Sequence, residues 1–181
     1  NPISLQYLNS SNPEFQYANV DEGTIGGIEL ELRKTLGFIA PAFDKFKIST
    51  NLTFITSTMD VIEQSGLEPE SRPFEGQSPV LANLSLGYLN PDSKWDIQVS
   101  YNYTGERLAV VGLNSPDIYE RGLSTLDAVI SKKLGNVSLK FAANNLLNPN
   151  YTTSSEYLGQ EYLTRQYKKG TSFVLSVAYE L

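Results

Sequence analysis

Carboxylates are the side chains of this sequence that could do acid–base chemistry, and Glu29 and Glu31 form the most suggestive pair. Two carboxylates can serve as nucleophile and general acid in the cleavage of a glycosidic bond. Two positions apart on an extended strand, without supporting groups, they suit neither role. His and Cys are both absent, which excludes Ser-His-Asp catalysis, thiolate chemistry and the usual zinc ligands. We therefore predict no catalytic residue, no metal site, no cofactor and no enzymatic activity.

The charge balance and the hydropathy narrow the class of protein further. The chain of 181 residues has 14 basic and 20 acidic side chains and a formal net charge of −6, whereas a nucleic-acid-binding protein normally presents a basic surface. No apolar run approaches the ~20 residues of a membrane-spanning helix. The mean hydropathy of −0.25 is nearly neutral, as it also is for the alternating strands of a membrane barrel. The chain opens on Asn1-Pro2 without a signal peptide, so we interpret it as an excised fragment or a processed product.

The last stretch, 171–181, alternates strictly between apolar and small or polar residues. Successive side chains of a strand point to opposite faces, so one face of this strand is apolar. A strand that ends on an apolar residue is what a membrane barrel needs, because it must close the sheet and face lipid. The apolar residues of this predicted barrel-terminal strand are Phe173, Leu175, Val177, Tyr179 and Leu181.

The same alternation recurs along the chain and predicts an all-β protein with about eight antiparallel strands. The expected strands cover 3–8, 15–20, 24–36, 45–59, 80–88, 95–111, 124–134 and 137–143. The segment from Trp95 to Val111 has the most regular alternation of them. Their polar faces suit a water-filled or protein-plugged interior, and the residues that we expect to face it are Glu29, Glu31, Arg33, Asp96, Gln98 and Asn102.

The predicted connections alternate between short turns and long loops. The turns lie at 37–43, 90–93 and 135–136, and the loops at 63–78, 113–122 and 144–170. Short periplasmic turns and long extracellular loops are the layout of an outer-membrane barrel. Tyr88 and Trp95 flank one turn, where we expect them to belong to an interfacial aromatic girdle. Because binding residues concentrate on loops, we expect the tyrosines of the last loop to contact substrate: Tyr151, Tyr157, Tyr162 and Tyr167.

Alternating strands also build soluble sandwiches and lipocalin-like barrels. Three features favour the membrane barrel: the length of the strands, the terminal apolar residue and the polar inner face. The soluble alternative makes the opposite prediction for the two faces, with the apolar one buried inside.

Five strings of residues extend the pattern in a fixed order: Gly26–Arg33, Arg72–Pro79, Tyr101–Arg107, Phe141–Asn148 and Tyr167–Phe173. In this order they resemble the GxELELR, GQSP, YNYxGxR and NLxN passages and the entry to the last strand of TonB-dependent outer-membrane receptors, especially those of Bacteroidetes-type bacteria. The chain departs from that pattern at its final residue, Leu181, where the family usually ends in Phe.

The resemblance implies that residues 1–181 are the C-terminal segment of a barrel of about 22 strands, without the plug domain and the TonB box. It also implies active uptake of a large, scarce nutrient (a siderophore, cobalamin, a saccharide or a peptide) across the bacterial outer membrane. The implied partners are outer-membrane lipid, the remaining barrel and plug, the TonB–ExbB–ExbD complex and a possible surface lipoprotein. Two alternatives stay open, namely a self-contained small barrel with a structural, adhesive or narrow-pore role, and a soluble ligand-binding β-domain.

Overall fold

The computed structural model describes residues 3–8, 11–20, 22–61 and 70–180. These residues form strands joined by turns and by two single-turn 3-10 helices, Leu36–Phe38 and Pro41–Phe43. The strands are β1 (Ile3–Leu8), β2 (Glu14–Asn19), β3 (Gly23–Thr35), β4 (Phe46–Val61), β5 (Glu70–Arg72), β6 (Val80–Asn90), β7 (Trp95–Thr104), β8 (Arg107–Leu113), β9 (Ile118–Glu120), β10 (Leu123–Leu134), β11 (Val137–Asn144), β12 (Tyr151–Tyr157), β13 (Gln160–Tyr167) and β14 (Ser172–Tyr179). No helix of the described ranges is long and apolar enough to cross a membrane. Because the described residues form fourteen strands and only two three-residue 3-10 helices, the all-β class is confirmed.

Seven strands form one antiparallel sheet, which we call the wall, in the order β3-β4-β6-β7-β10-β11-β14. Its turns, at 36–45, 91–94 and 135–136, all lie at one end of the strands, the turn end. The opposite end is the loop end, where the short β5 pairs with the last residues of β4. Among the described strands, β3 and β14 each have only one neighbour, so these strands do not close into a barrel by themselves.

The turn end is staggered from hairpin to hairpin. Lys47 pairs with Gly87, and β6 continues three residues further to Asn90. Trp95 pairs with Lys132, and β10 again continues two residues, to Leu134. Both shifts run in the same direction, by three residues and then by two. Such a shift is the shear that tilted strands have in a barrel.

The remaining strands form a second sheet, the loop sheet, in the order β13-β12-β9-β8-β1-β2. Its pairings are antiparallel except for β1 and β8, which run parallel over three residue pairs. The described chain buries its main apolar cluster at this end. The cluster consists of Val20, Met59, Val61, Leu108, Val111 and Leu113, with Leu8, Phe74 and Tyr119 packed against it.

Several predicted boundaries were wrong. The first two predicted strands exist, but they belong to the loop sheet rather than to the wall. The strand predicted at 95–111 is two strands, because the chain leaves the wall between β7 and β8. The predicted loops at 113–122 and 144–170 contain β9 and the β12–β13 hairpin. Leu181 and residues 63–69 of the first predicted loop lie outside the described residues.

The break after β7 has a local cause at Gly105. Its backbone N–H donates to Val80 O at 2.8 Å, and its carbonyl accepts from Ser78 Oγ at 3.0 Å. A Cβ here would lie 3.1 Å from Ser78 Oγ and 3.2 Å from Val80 O. Glycine thus lets Ser78 tie β6 to the point where the chain turns away from the wall.

Candidate functional site

The wall has two chemically different faces, and the register of the strands fixes which residues share them. Directly paired residues of neighbouring strands point to the same face. Ile28, Phe54 and Val80 are paired in succession, and so are Leu86, Val99 and Ala128. The resulting apolar face is exposed in the described chain, with side chains such as Ile28, Leu30, Leu84, Ile130, Phe141, Phe173, Leu175, Val177 and Tyr179.

The opposite face carries rows of hydroxyl, amide and charged side chains. One row runs from Glu31 through Asn51 and Asn83 to Asn102 and Thr125 across five strands. The next row is Arg33, Ser49, Ser85, Ser100 and Asp127. A shallow groove follows these two rows. All six residues expected to face the barrel interior, Glu29, Glu31, Arg33, Asp96, Gln98 and Asn102, therefore share one face, although their exposure to a lumen stays a prediction.

Polar contacts within this face hold its side chains in place. Arg33 Nε lies 2.6 Å from Glu31 Oε1, and Asn51 donates a short hydrogen bond to Glu29. Further along the sheet, Asn102 Nδ2 lies 3.3 Å from Thr125 Oγ1. The two glutamates thus have basic and amide partners on the same surface. This environment differs from the paired carboxylates of a glycosidase, which need one carboxyl group kept protonated.

The segment Arg72–Pro79 joins the wall to the loop sheet. Phe74 N donates to Ser57 Oγ at 3.0 Å, and Gly76 N donates to Leu108 O at 2.8 Å. The Glu75 carboxylate accepts from Ser4 Oγ at 3.0 Å and from Leu5 N at 2.7 Å. One short segment therefore binds β4, β8 and β1 together.

Three arginine–carboxylate contacts reinforce the same region. Arg72 Nε lies 2.7 Å from Asp117 Oδ2, and both side chains are largely buried. Arg107 makes two contacts with Glu120, at 2.9 and 2.7 Å. Such paired geometry fits the planar guanidinium group and fixes the orientation of both side chains.

Arg121 connects three segments that are distant in sequence. It contacts Glu106 next to the break in the wall, and its Nη2 lies 2.6 Å from Glu161 Oε1 on β13. The hydrogen bonds that Arg121 donates to Glu106 and then to Glu161 raise the pKa of Arg121 above its ordinary value. Its backbone N–H also donates to Thr152 O at 2.9 Å. The β12–β13 hairpin is thereby attached to the loop end of the wall.

A cavity of about 430 Å³ lies beside these contacts. Aromatic and polar groups line it, among them Gln77, Tyr103, Glu106, Arg107 and Tyr119. Burial, and then the charge of Asp117, raises the pKa of Tyr119. None of these five residues is predicted from the sequence to bind a ligand. Four of the five lie in the quoted strings Arg72–Pro79 and Tyr101–Arg107, so those strings were the available signal.

The four tyrosines predicted to bind substrate lie on the β12–β13 hairpin in two pairs. Tyr151 and Tyr167 stack on each other with ring centroids 5.2 Å apart, and Lys169 Nζ lies 4.0 Å from the Tyr151 ring centroid. Tyr157 and Tyr162 are 55% and 48% exposed. The first pair therefore also stabilises the hairpin, whereas the second is open to a ligand. Substrate contact by all four stays a prediction.

The described residues contain no group of three or more His, Cys, Asp or Glu side chains placed to hold a metal ion. The polar rows and the cavity present hydrogen-bond donors and acceptors at the surface of the described residues. No nucleophile with an adjacent base accompanies them in the contacts described above.

A sheet with one exposed apolar face, one polar face and a barrel-like stagger has the geometry of an outer-membrane barrel wall. A family model described as TonB dependent receptor-like, beta-barrel, matches residues 1–146. The chain therefore belongs to the TonB-dependent receptor family, whose members are outer-membrane proteins rather than enzymes.

Two solved structures share this fold. The ferric citrate transporter FecA in its unliganded form superposes with a TM-score of 0.63 and 13% identity, covering 86% of this chain and 24% of that one. The copper transporter OprC gives a TM-score of 0.62 and 17% identity, covering 98% of this chain and 26% of the other. The chain thus spans about a quarter of the length of either structure. No curated protein sequence matches it.

Proposed function

We propose that this chain forms part of the membrane-embedded wall of a receptor that imports a large, scarce nutrient across the bacterial outer membrane. The observation that carries the proposal is the apolar face, which continues across seven strands and is exposed to the surroundings. In water such an extensive apolar surface is unfavourable, whereas against lipid it is what a spanning sheet requires. Membership of the family supports the same reading.

The polar face is proposed to line the interior of the barrel. The residues that would do so are Glu29, Glu31, Arg33, Asp96, Gln98 and Asn102. Because β3 and β14 each lack a second neighbour in the described chain, other strands are needed to close the sheet. We propose that residues 1–181 are the C-terminal part of a barrel of about 22 strands, of the kind found in Bacteroidetes-type bacteria.

The proposed substrate is a siderophore, cobalamin, a saccharide or a peptide. Such solutes need a receptor because they are too large for simple pores. Transport energy would reach the barrel from the TonB–ExbB–ExbD complex through a plug domain, and a surface lipoprotein would cover the loop end. The exposed rings of Tyr157 and Tyr162, supported by the Tyr151–Tyr167 stack, are suited to stacking on a sugar or an aromatic ligand.

The structure favours neither alternative function. A self-contained small barrel needs its first and last wall strands to pair, and the described strands β3 and β14 do not. A soluble β-domain needs its apolar face buried, yet Leu175 and Val177 on that face are 71% and 66% exposed.

A fractionation experiment tests the proposal in the native cell. Outer-membrane extracts would be run on gels with and without boiling, and the intact mass of the product measured. We expect a membrane-bound, heat-modifiable species far heavier than 20.1 kDa. A heat-modifiable membrane species of 20.1 kDa would retire the transport proposal, and a soluble product would end the membrane assignment.

An uptake assay tests the transport step separately. Cells with the gene deleted would be compared with cells lacking TonB for growth on candidate siderophores, cobalamin, saccharides and peptides as limiting nutrients. Loss of growth on the same nutrient in both strains is the expected result. A nutrient whose uptake needs this gene but not TonB would contradict energised transport.

A further inference from the structure

The apolar face of the wall carries only two charged side chains where the described wall strands pair with one another, and both are lysines. Lys34 lies on β3, paired with Ile48, and Lys132 lies on β10, paired with Trp95. Asp60 has the same strand parity, but it pairs with β5 beyond the part of β4 that contacts wall strands. The opposite face, by contrast, mixes both signs of charge.

Both lysines lie at the turn end. Lys34 is one residue from the end of β3, and Lys132 is two residues from the end of β10. Followed through the directly paired residues of β4, β6 and β7, Lys34 lies level with Ala128 on β10. Lys132 is four residues further along β10 than Ala128. The stagger of the hairpins accounts for this offset, because the turn end itself shifts by that shear. Relative to the ends of their strands, the positions of the two lysines therefore differ by one residue.

Each lysine also lies against an aromatic ring at the same rim. Lys132 Nζ is 4.6 Å from the centroid of the Trp95 ring, and Lys34 Nζ is 5.7 Å from that of Phe38. Lys132 donates one hydrogen bond to the carbonyl of Ser93, which leaves it two further N–H donors. An aromatic ring beside a cation with unused donors, above an apolar surface, provides both parts of a phospholipid contact: the ring meets the interface, and the ammonium meets the phosphate.

We propose that Lys34 and Lys132 each bind the phosphate of a phospholipid at the turn-end rim of the wall. The inference rests on the proposed function, because it requires the apolar face to be covered by lipid. Charge selects the headgroup: with two cations and no carboxylate on the wall-paired part of this face, an anionic phospholipid such as phosphatidylglycerol is favoured over an uncharged lipid. The acyl chains of the same molecule then cover the adjacent strands. Exposed Phe38, Ile39 and Phe43 of the first turn extend this rim.

Neighbouring lysines on the other face provide a matched control. Lys133 and Lys140 are on the wall strands β10 and β11, and the register places both on the face of the sheet opposite to that of Lys132. Replacing Lys34 and Lys132 by Gln, or Lys133 and Lys140 by Gln, removes the same number of positive charges. Only the first pair of substitutions removes them from the apolar face.

The test is a titration of the purified full-length protein in detergent with phosphatidylglycerol, read by native mass spectrometry. Each lysine near a lipid surface contributes about 1 kcal/mol and binds its own lipid, so the Lys34→Gln/Lys132→Gln variant should bind this lipid about 5-fold more weakly at each of the two sites. The Lys133→Gln/Lys140→Gln variant should bind like the parent, and Lys34→Arg/Lys132→Arg should retain binding. Uncharged diacylglycerol should show no difference among the variants.

Equal binding of phosphatidylglycerol by the two Gln double variants, whether retained or lost, would overturn the inference. Binding retained by the first Gln variant would also overturn it, because Lys34 and Lys132 would then not hold the phosphate. Heat modifiability on gels, measured for each variant first, shows that the barrel has folded. Failure of the proposed function is recognised separately, as a parent protein found in the soluble fraction before any lipid is added.

Discussion

The wall and the loop sheet differ in where their apolar side chains lie. In the loop sheet Leu108 and Val111 are completely buried, whereas Leu175 and Val177 of the wall are 71% and 66% exposed. All the described strand pairings of both regions are antiparallel except that of β1 with β8, so the difference comes from what covers the side chains. At the loop end, apolar side chains of β4, β8 and the adjoining segments cover one another and form a buried cluster, as in a water-soluble domain. The apolar face of the wall has no such cover in the described chain, and the proposed function places lipid against it.

The comparison also explains where polar contacts concentrate. Around the loop sheet, Arg72 and Asp117 form a largely buried ion pair, and Glu75 binds backbone and side-chain groups of β1. On the wall strands, charged groups sit on the polar face or, as Lys34, Lys132 and Asp60 do, near the ends of the strands. The two regions of this chain thus differ in where their charged side chains lie: within contacts between segments around the loop sheet, and on the surface of the wall.

The largest expected effect is the removal of a side chain from the loop-sheet core. Leu108→Ala should lower the free energy of unfolding by about 2–5 kcal/mol, because it leaves a cavity in a fully buried site. Thermal unfolding monitored by proteolysis of the loop sheet would measure it. Leu158→Ala, at a position 85% exposed, is the control and should stay within about 0.5 kcal/mol of the parent. A similar loss for both variants would show that the loop sheet has no core of its own.

A charge on the apolar face of the wall should have the next largest effect. Val99→Lys should destabilise the barrel by about 2–4 kcal/mol at mid-bilayer depth, because an ammonium group in hydrocarbon is costly. Gln98→Lys, one residue away on the polar face, should be mild. Urea unfolding in lipid vesicles, followed by tryptophan fluorescence, would compare them. Equal destabilisation would contradict the assignment of the two faces.

The faces of the wall could be predicted from sequence because alternation is a local property of each strand. Val99 and Gln98 are assigned to opposite faces by their neighbours alone, and the register confirms that they lie on opposite faces. The loop sheet could not be predicted in the same way. Its core joins residues as far apart as Val20 and Leu113, and the parallel pairing of β1 with β8 has no local signal.

The β12–β13 hairpin shows a second reason for a missed element. Its turn places Leu158 at φ 52° and Gly159 at φ 74°, as a two-residue turn of the primed type requires. The usual signal for that turn is Asn-Gly or Asp-Gly, since leucine rarely adopts positive φ. The turn signal was therefore weak, and 144–170 was predicted to be a loop.

An intermediate effect is expected at Glu75, whose carboxylate joins β1 to the segment Arg72–Pro79. Glu75→Gln replaces one carboxylate oxygen by an N–H₂ group facing the donors of Ser4 and Leu5. The lost charge-assisted hydrogen bonds should cost about 1.5–3 kcal/mol. Hydrogen exchange of β1 would report the loss locally. Glu156→Gln, an exposed position on β12, should leave exchange in β1 unchanged, and equal protection of β1 in both variants would sink the role given to Glu75.

The smallest effect on stability is expected at the exposed tyrosines. Tyr157→Ser and Tyr162→Ser should change the free energy of unfolding by less than about 0.5 kcal/mol, while weakening uptake of the substrate. Tyr151→Ser should instead cost about 0.5–1.5 kcal/mol, because it removes the stack with Tyr167. Uptake at limiting substrate and thermal unfolding would be measured on the same variants. Normal uptake by the Tyr157→Ser/Tyr162→Ser variant would remove these rings from the proposed binding surface.

The most direct test of the central claim, that one face of the wall meets lipid, uses the absence of cysteine from this chain. Single cysteines at positions 96–101 of β7 would be spin-labelled in the full-length protein in vesicles, and their accessibility to oxygen and to a water-soluble nickel complex compared. The structure predicts alternation with a period of two, with oxygen favoured at 97, 99 and 101 and the nickel complex at 96, 98 and 100. Uniform accessibility, or alternation with the opposite phase, would contradict it.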